Sequence, residues 1–162
     1  MVKIVIPNEI SSADADFDIA SYVPYLLNQA TLAILPTFTP TLKKFELQLG
    51  GWRILAVLHK SGALRVRELL QLTGLEPPTL SRMLADLEKR KLLTRSPSAS
   101  DARGILVRAT RGGNKLAKAV IPHAIAAEKS ALQGFSSDEI EFLIRLLKRI
   151  YQNMGLSDAS IE

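Results

Sequence analysis

Cysteine is absent from the 162 residues, which excludes disulfides, thiolate zinc sites, iron–sulfur clusters and any cysteine nucleophile or thiol switch. Histidine is nearly absent. His59 and His123 stand 64 positions apart, with no carboxylate cluster at either, so no metal-ligand set emerges from the spacing. Long apolar runs are missing as well: none approaches the roughly 20 residues that a membrane helix needs. The brief Val2–Pro7 stretch leads straight into Glu9, Asp14, Asp16 and Asp18, so neither a signal peptide nor a membrane span is expected and the chain reads as cytoplasmic. There is no Gly-x-Ser-x-Gly turn, no phosphate loop ending in Gly-Lys-Ser/Thr and no His-Glu-x-x-His; Gly50-Gly51 and Gly112-Gly113 read as helix starts. An enzyme would have to work through carboxylates such as Glu68, Glu76, Asp86 and Glu88, which surface helices ordinarily carry. No enzymatic activity, cofactor or metal is expected.

What is present is an ordinary globular composition, 47% hydrophobic and 23% charged, far from the signature of disorder and long enough for about one domain with a real core. The charge is unevenly spread. The net +5 divides into +9 over residues 43–115, with fifteen Lys/Arg against six Asp/Glu, and −4 over the flanks, with six against ten. A basic block between acidic arms makes a polyanion a plausible partner.

The hydrophobic periods divide the chain into an irregular arm (1–15), a helical segment (16–48), a central region (49–109), two further helices (110–154) and a frayed tail (155–162). Ile19, Val23, Leu26, Ala30, Ala33 and Ile34 recur at helical spacing. Pro24 should kink that helix or mark its first turn, and Pro36 should close it, leaving a broken or irregular link through Pro40 to Phe45. A second helix runs from near Gly51 to Ser61-Gly62. Val66–Leu72 and Pro77–Arg90 form two helices across the Thr73-Gly74 turn, a helix-turn-helix. Leu92–Arg95 and Ile105–Ala109 pair as strands, joined by a projecting loop over Ser96–Gly104. Ser136 with Glu139 forms a capping box for the last helix. The expected fold is mainly α with a small β-hairpin wing: a winged helix-turn-helix with N- and C-terminal dimerisation helices.

In the Pro77–Arg90 helix, Leu80, Met83, Leu84 and Leu87 form one buried stripe. At 100° per residue the opposite face holds Pro78, Arg82, Ala85 and Lys89, with Ser81 and Asp86 at its margins. An ordinary amphipathic helix would present a similar stripe. A small-residue face around an arginine, however, admits close approach to a DNA groove and a bidentate contact to guanine. The wing loop has no large apolar residue, so it projects; Arg103 can reach a narrow minor groove, with Asp101 orienting it. Arg95, on the strand leading into the loop, completes the candidate DNA contacts.

The last helix carries an apolar seam of Ile140, Leu143, Ile144, Leu147, Ile150, Tyr151 and Met154. Together with Ile19, Val23 and Leu26 of the first helix it is explained most simply by a homodimer. Tyr22, Tyr25 and Gln29 share one side of the first helix and Trp52-Arg53 opens the second. They read either as dimer core or as a cleft for a planar phenolic or aromatic carboxylate, or for an aromatic acyl thioester.

Three pieces at the right spacing resemble the multiple antibiotic resistance regulator (MarR) family: Trp52-Arg53-Ile54-Leu55, Pro77-Pro78-Thr79-Leu80-Ser81-Arg82-Met83-Leu84, and Ser100-Asp101-Ala102-Arg103-Gly104-Ile105-Leu106-Val107-Arg108-Ala109-Thr110 followed by Gly112-Gly113. The resemblance spans about Asp16 to Met154. It implies a bacterial homodimeric repressor that binds a pseudopalindromic double-stranded DNA operator and leaves it when a small aromatic or phenolic ligand enters a cleft between the dimerisation and DNA-binding regions. By motif match Arg103 is the minor-groove arginine, and Thr79, Ser81 and Arg82 carry major-groove and phosphate contacts. Glu76 and Pro78 depart from the small polar residues usual there, and Pro36 and Pro40 from a continuous first helix. The competing readings are a winged-helix protein-interaction module without sequence-specific DNA binding, and a small basic enzyme.

Overall fold

The computed structural model describes residues 17–98 and 101–155. The arm over 1–15 and all of the tail except Gly155 lie outside the described residues. The elements in order are α1 (Val23–Lys44), α2 (Leu49–Ser61), β1 (Leu64–Arg65), α3 (Val66–Thr73), α4 (Pro77–Lys89), β2 (Leu93–Ser98), β3 (Asp101–Ala109), α5 (Arg111–Ala131) and α6 (Ser137–Asn153). The chain forms two compact units, 1–37 and 38–162.

In the first unit, Phe17 and Tyr22 meet edge to face with ring centroids 5.3 Å apart, and the Asp18 carboxylate accepts from the Ala20 N–H at 3.0 Å. Pro24 is the second residue of α1, where its missing N–H costs nothing. The expected break at Pro36 and Pro40 does not occur: α1 is continuous to Lys44. Each interior proline removes one intrahelical hydrogen bond. Residues 32–34 and 36–37 are exposed, so carbonyls freed there can face solvent, and the Thr37 hydroxyl donates to the Ile34 carbonyl at 2.7 Å.

The second unit is built around α2. Ile54, Leu55 and Leu58 are essentially inaccessible and pack with Leu69 of α3, Leu80, Leu84 and Leu87 of α4, Leu93 of β2, Val107 of β3, and Ala117 and Val120 of α5; Phe38 and Leu42 join from the end of α1. Each fully buried leucine contributes about 1.5–3 kcal/mol of transfer free energy. The sheet has the order β1-β3-β2, all antiparallel, with Leu64 opposite Val107 and Leu93 opposite Ala109.

Two features differ from the sequence expectation. Strand β1 is too short to leave a period, and the hairpin is longer than Leu92–Arg95 with Ile105–Ala109. Its ladder continues through Ser96 opposite Leu106 and Pro97 opposite Ile105 to Ser98 opposite Asp101, so most of the nine-residue loop is strand. Backbone hydrogen bonds do not require apolar side chains, and a Ser/Pro/Ala/Gly composition carries no alternation to reveal them.

Candidate nucleic-acid interface

α4 starts where Pro77 occupies its first position, with Glu76 in extended conformation before it. Leu80, Leu84 and Leu87 are buried and Met83 is half-buried, as the stripe required. The other face is open: Pro78, Ser81, Arg82, Ala85, Asp86 and Lys89 are all exposed, and Thr79 is half-buried at its edge. α4 is docked tightly enough that a side chain at Gly50 of α2 would overlap the Met83 sulfur. Arg82 makes no ion pair among the described residues, so its guanidinium needs no rearrangement to meet a phosphate or a base edge.

Three other arginines around α4 are engaged. Arg90 is 3.6 Å from Asp86, one turn back, and donates to the Glu46 carbonyl at 2.7 Å. Arg95 of β2 reaches back to Glu88, with Nε donating to Oε2 at 2.9 Å and Nη2 bound to the same oxygen. The Arg95 hydrogen bond holds the Glu88 carboxyl below its usual range. That pair ties the wing to the end of α4; the seven-residue separation crosses a turn and leaves no helical spacing to find it by. Arg53, grouped by sequence with the effector cleft, donates from Nη1 to the Thr73 carbonyl at 3.4 Å, at the end of α3. The backbones of Asp101 and Arg103 belong to β3; their side chains lie outside the described residues.

The wing is joined to the body through Thr110. Its hydroxyl accepts from Gly113 N–H at 3.1 Å as the cap of α5 and donates to the Lys91 carbonyl at 2.8 Å, while its N–H donates to the Leu92 carbonyl at 3.0 Å. A side chain at Gly113 would overlap the Leu92 carbonyl, so the second glycine of the pair is a close-approach residue.

A cavity of about 590 Å3 opens between α2 and α5, walled by Trp52, Ala56, His59, Lys60, Ile121, Ala124, Ile125 and Glu128. Trp52 rests edge-on against Phe38, centroids 5.8 Å apart. His59 Nδ1 is 2.8 Å from the Asn114 side-chain oxygen, which orients the ring from α5. Of the residues grouped as an effector cleft by sequence, Trp52 lines this cavity. Tyr22, Tyr25 and Gln29 are exposed residues of the first unit. The grouping of the neighbours His59 and Lys60 with Glu128 was not anticipated, because 68 positions separate Lys60 from Glu128.

The apolar seam of α6 is uncovered. Ile140, Leu143 and Leu147 are half-buried, Ile150, Tyr151 and Met154 are exposed, and the helix buries none of its residues. Ile19, Val23 and Leu26 are likewise exposed. No helix of the described residues is long and apolar enough to cross a membrane.

Comparison with known proteins gives three findings. A family model described as MarR family matches residues 47–104, which run from the start of α2 into β3. The uncharacterized HTH-type transcriptional regulator YwaE of Bacillus subtilis is 28% identical over 116 residues, 72% of this chain and 68% of that protein. Among solved structures, Bordetella bronchiseptica BpsR, whose DNA binding is regulated by 6-hydroxynicotinic acid, is 26% identical. It covers 79% of this chain and 97% of its own, with a TM-score of 0.71. A MarR family regulator from Silicibacter pomeroyi shares the fold at a TM-score of 0.78 and 24% identity, over 89% of this chain and 97% of that one.

Proposed function

We propose that this chain, which belongs to the MarR family of winged-helix DNA-binding transcriptional regulators and so to regulators rather than enzymes, is a cytoplasmic homodimeric repressor released from a pseudopalindromic operator by a small aromatic acid or phenol. The observation that carries the reading is the outer face of α4, where Pro78, Ser81 and Ala85 leave room around Arg82, which makes no ion pair among the described residues. Small residues admit the helix to a major groove and the arginine supplies the fork that guanine accepts. Lys89 and the half-buried Thr79 flank that face, Arg103 of the wing enters the adjacent minor groove with Asp101 orienting it, and Arg95 steadies the wing through Glu88 beside the DNA backbone. Residues 49–109 form the DNA-reading region; 16–48 and 110–154 form the dimer.

The uncovered seam of α6 supports the dimer, because a contiguous apolar stripe on a 17-residue helix is unfavourable in water. The α2–α5 cavity supports the effector: Trp52 and Ile125 offer an apolar wall for a ring, and His59 and Lys60 offer charge-assisted partners for an acid group. BpsR, whose DNA binding is regulated by 6-hydroxynicotinic acid, a hydroxylated pyridine carboxylate, supports that class.

The test is recovery and sequencing of genomic DNA retained by the purified chain, followed by titration of the recovered operator with 6-hydroxynicotinic and hydroxybenzoic acids. A retained inverted repeat, lost on adding an acid, is the expected result. Equal affinity for the recovered and scrambled DNA would overturn the reading.

A further inference from the structure

We infer that Arg90 is a positioning residue that sets the half-site spacing the protein accepts, by clasping the reading helix to the elbow between α1 and α2. The inference rests on the dimeric DNA-reading proposal above and goes beyond it, because Arg90 belongs to neither the DNA-facing side of α4 nor the α2–α5 cavity.

The elbow and the end of α4 close in the same unusual way. The turn after α1 passes through Glu46, whose φ is +53°, with Leu47 N–H donating to Leu42 O at 2.8 Å; the turn after α4 passes through Lys91, whose φ is +57°, with Leu92 N–H donating to Leu87 O at 2.8 Å. This six-residue closure normally places glycine at the left-handed position. Here a glutamate and a lysine occupy it, so the surrounding contacts must hold the backbone there. Leu42, Leu47 and Leu87 are all buried against one another's elements and supply the apolar part of that hold.

Arg90, the residue before one left-handed position, donates to the carbonyl of the other, Glu46, at 2.7 Å. Its side chain is 29% exposed and is steadied by Asp86. Beneath it lies a cavity of about 380 Å3 bounded by Glu46, Leu47, Gln48, Gly51, Arg82, Met83, Asp86, Leu87 and Arg90. The elbow and α4 are therefore incompletely packed at this point, and a polar bridge spans the gap. Removing it leaves the leucines to hold α4 without a directional bond, so the helix keeps its burial and loses its fixed angle to the elbow.

Spacing is the property this would govern. In a dimer each reading helix is held at the half-site separation by whatever joins α4 to the dimerising helices, and the elbow is where α1 ends. One base pair of added spacing moves the second half-site by roughly 3.4 Å and rotates it by roughly 35°.

The experiment uses the full chain and an inverted-repeat duplex that it selects from a randomised pool, with the half-site spacing then changed by one base pair either way. The wild-type chain should lose about tenfold or more in affinity on either change. Arg90→Ala should bind the original duplex but discriminate about threefold or less, and Arg90→Lys, which can still donate to the Glu46 carbonyl, should recover the discrimination. A purely structural role would lower the folded fraction in both variants and leave the ratios intact. Unchanged ratios in folded Arg90→Ala would overturn the clasp alone, as would equal flattening in Arg90→Lys. Failure of the wild-type chain to select any repeat would overturn the dimeric reading and the clasp with it.

Discussion

Gly113 and Arg82 are opposite kinds of functional residue. Gly113 matters for what it lacks: a methyl group there meets the Leu92 backbone carbonyl, which cannot swing aside as a side-chain end can. Gly113→Ala should therefore destabilise the chain by about 2–4 kcal/mol, read as a shift in the urea midpoint at constant slope. Gly50→Ala should cost less, because its obstacle is the flexible end of Met83. Arg82 matters for what it leaves free. Arg82→Ala should leave the midpoint within about 0.5 kcal/mol, since the residue is exposed and unpaired among the described residues. It should weaken operator binding by about 1–3 kcal/mol and relax preference at one position per half-site. Anisotropy titrations against single-base operator variants would check this, and equal losses on operator and scrambled DNA would reduce the contact to phosphate. The sequence pointed to both residues, Arg82 through its helical face and Gly113 through the Gly-Gly pair. The pair does sit at a helix start as read, but the close approach at Gly113 was not legible, because the Leu92 carbonyl lies 21 positions away and no local pattern encodes it.

Elements are held by their ends as much as by their faces. In α6, Ser136 and Glu139 exchange hydrogen bonds, Ser136 N–H donating to Glu139 Oε2 at 2.8 Å and Glu139 N–H to the Ser136 hydroxyl at 3.3 Å. Those bonds from Ser136 keep the Glu139 carboxyl below the ordinary carboxylate range. A group lowered in the folded state contributes stability above its unfolded value and loses it as pH falls through its folded one. Start-of-helix protection of α6 amides should accordingly fade in acid, and Glu139→Gln should remove that pH dependence; amide exchange from pH 7 to 3 would follow it. At the end of α4 the signs differ. Lys91→Gly should stabilise by up to about 1 kcal/mol, since glycine adopts the left-handed position without the side-chain penalty, and thermal melts would detect it. Capping boxes with Ser and Glu are legible in sequence. At α3 only half of such a box forms, Arg65 N–H donating to Glu68 at 2.7 Å, and it was not legible because an arginine at the first position has no acceptor to mark a cap. The continuity of α1 through Pro36 and Pro40 was misread for a related reason: proline's cost depends on whether the freed carbonyl reaches solvent or another donor, which the chain order does not state.

At the scale of the whole molecule the proposed dimer is the feature that sedimentation tests. Leu147→Glu should convert it to a monomer in sedimentation at micromolar concentration and abolish binding to a full operator, while a wild-type monomer at that concentration would refute the dimer. Trp52→Ala should weaken an aromatic acid in calorimetry about tenfold or more if the α2–α5 cavity is its site. The sequence by itself determined the helix count, α4 and its outward face, the existence of a wing and the basic middle, because each follows from a local period or a local charge density. Only the tertiary structure decided the length of the hairpin, the Glu88–Arg95 and Arg90–Glu46 links, and the grouping of Trp52 with His59, Lys60 and Glu128. A period records which side of one element is apolar. It does not record which carbonyl, carboxylate or ring a second element, tens of residues away, will bring against that side.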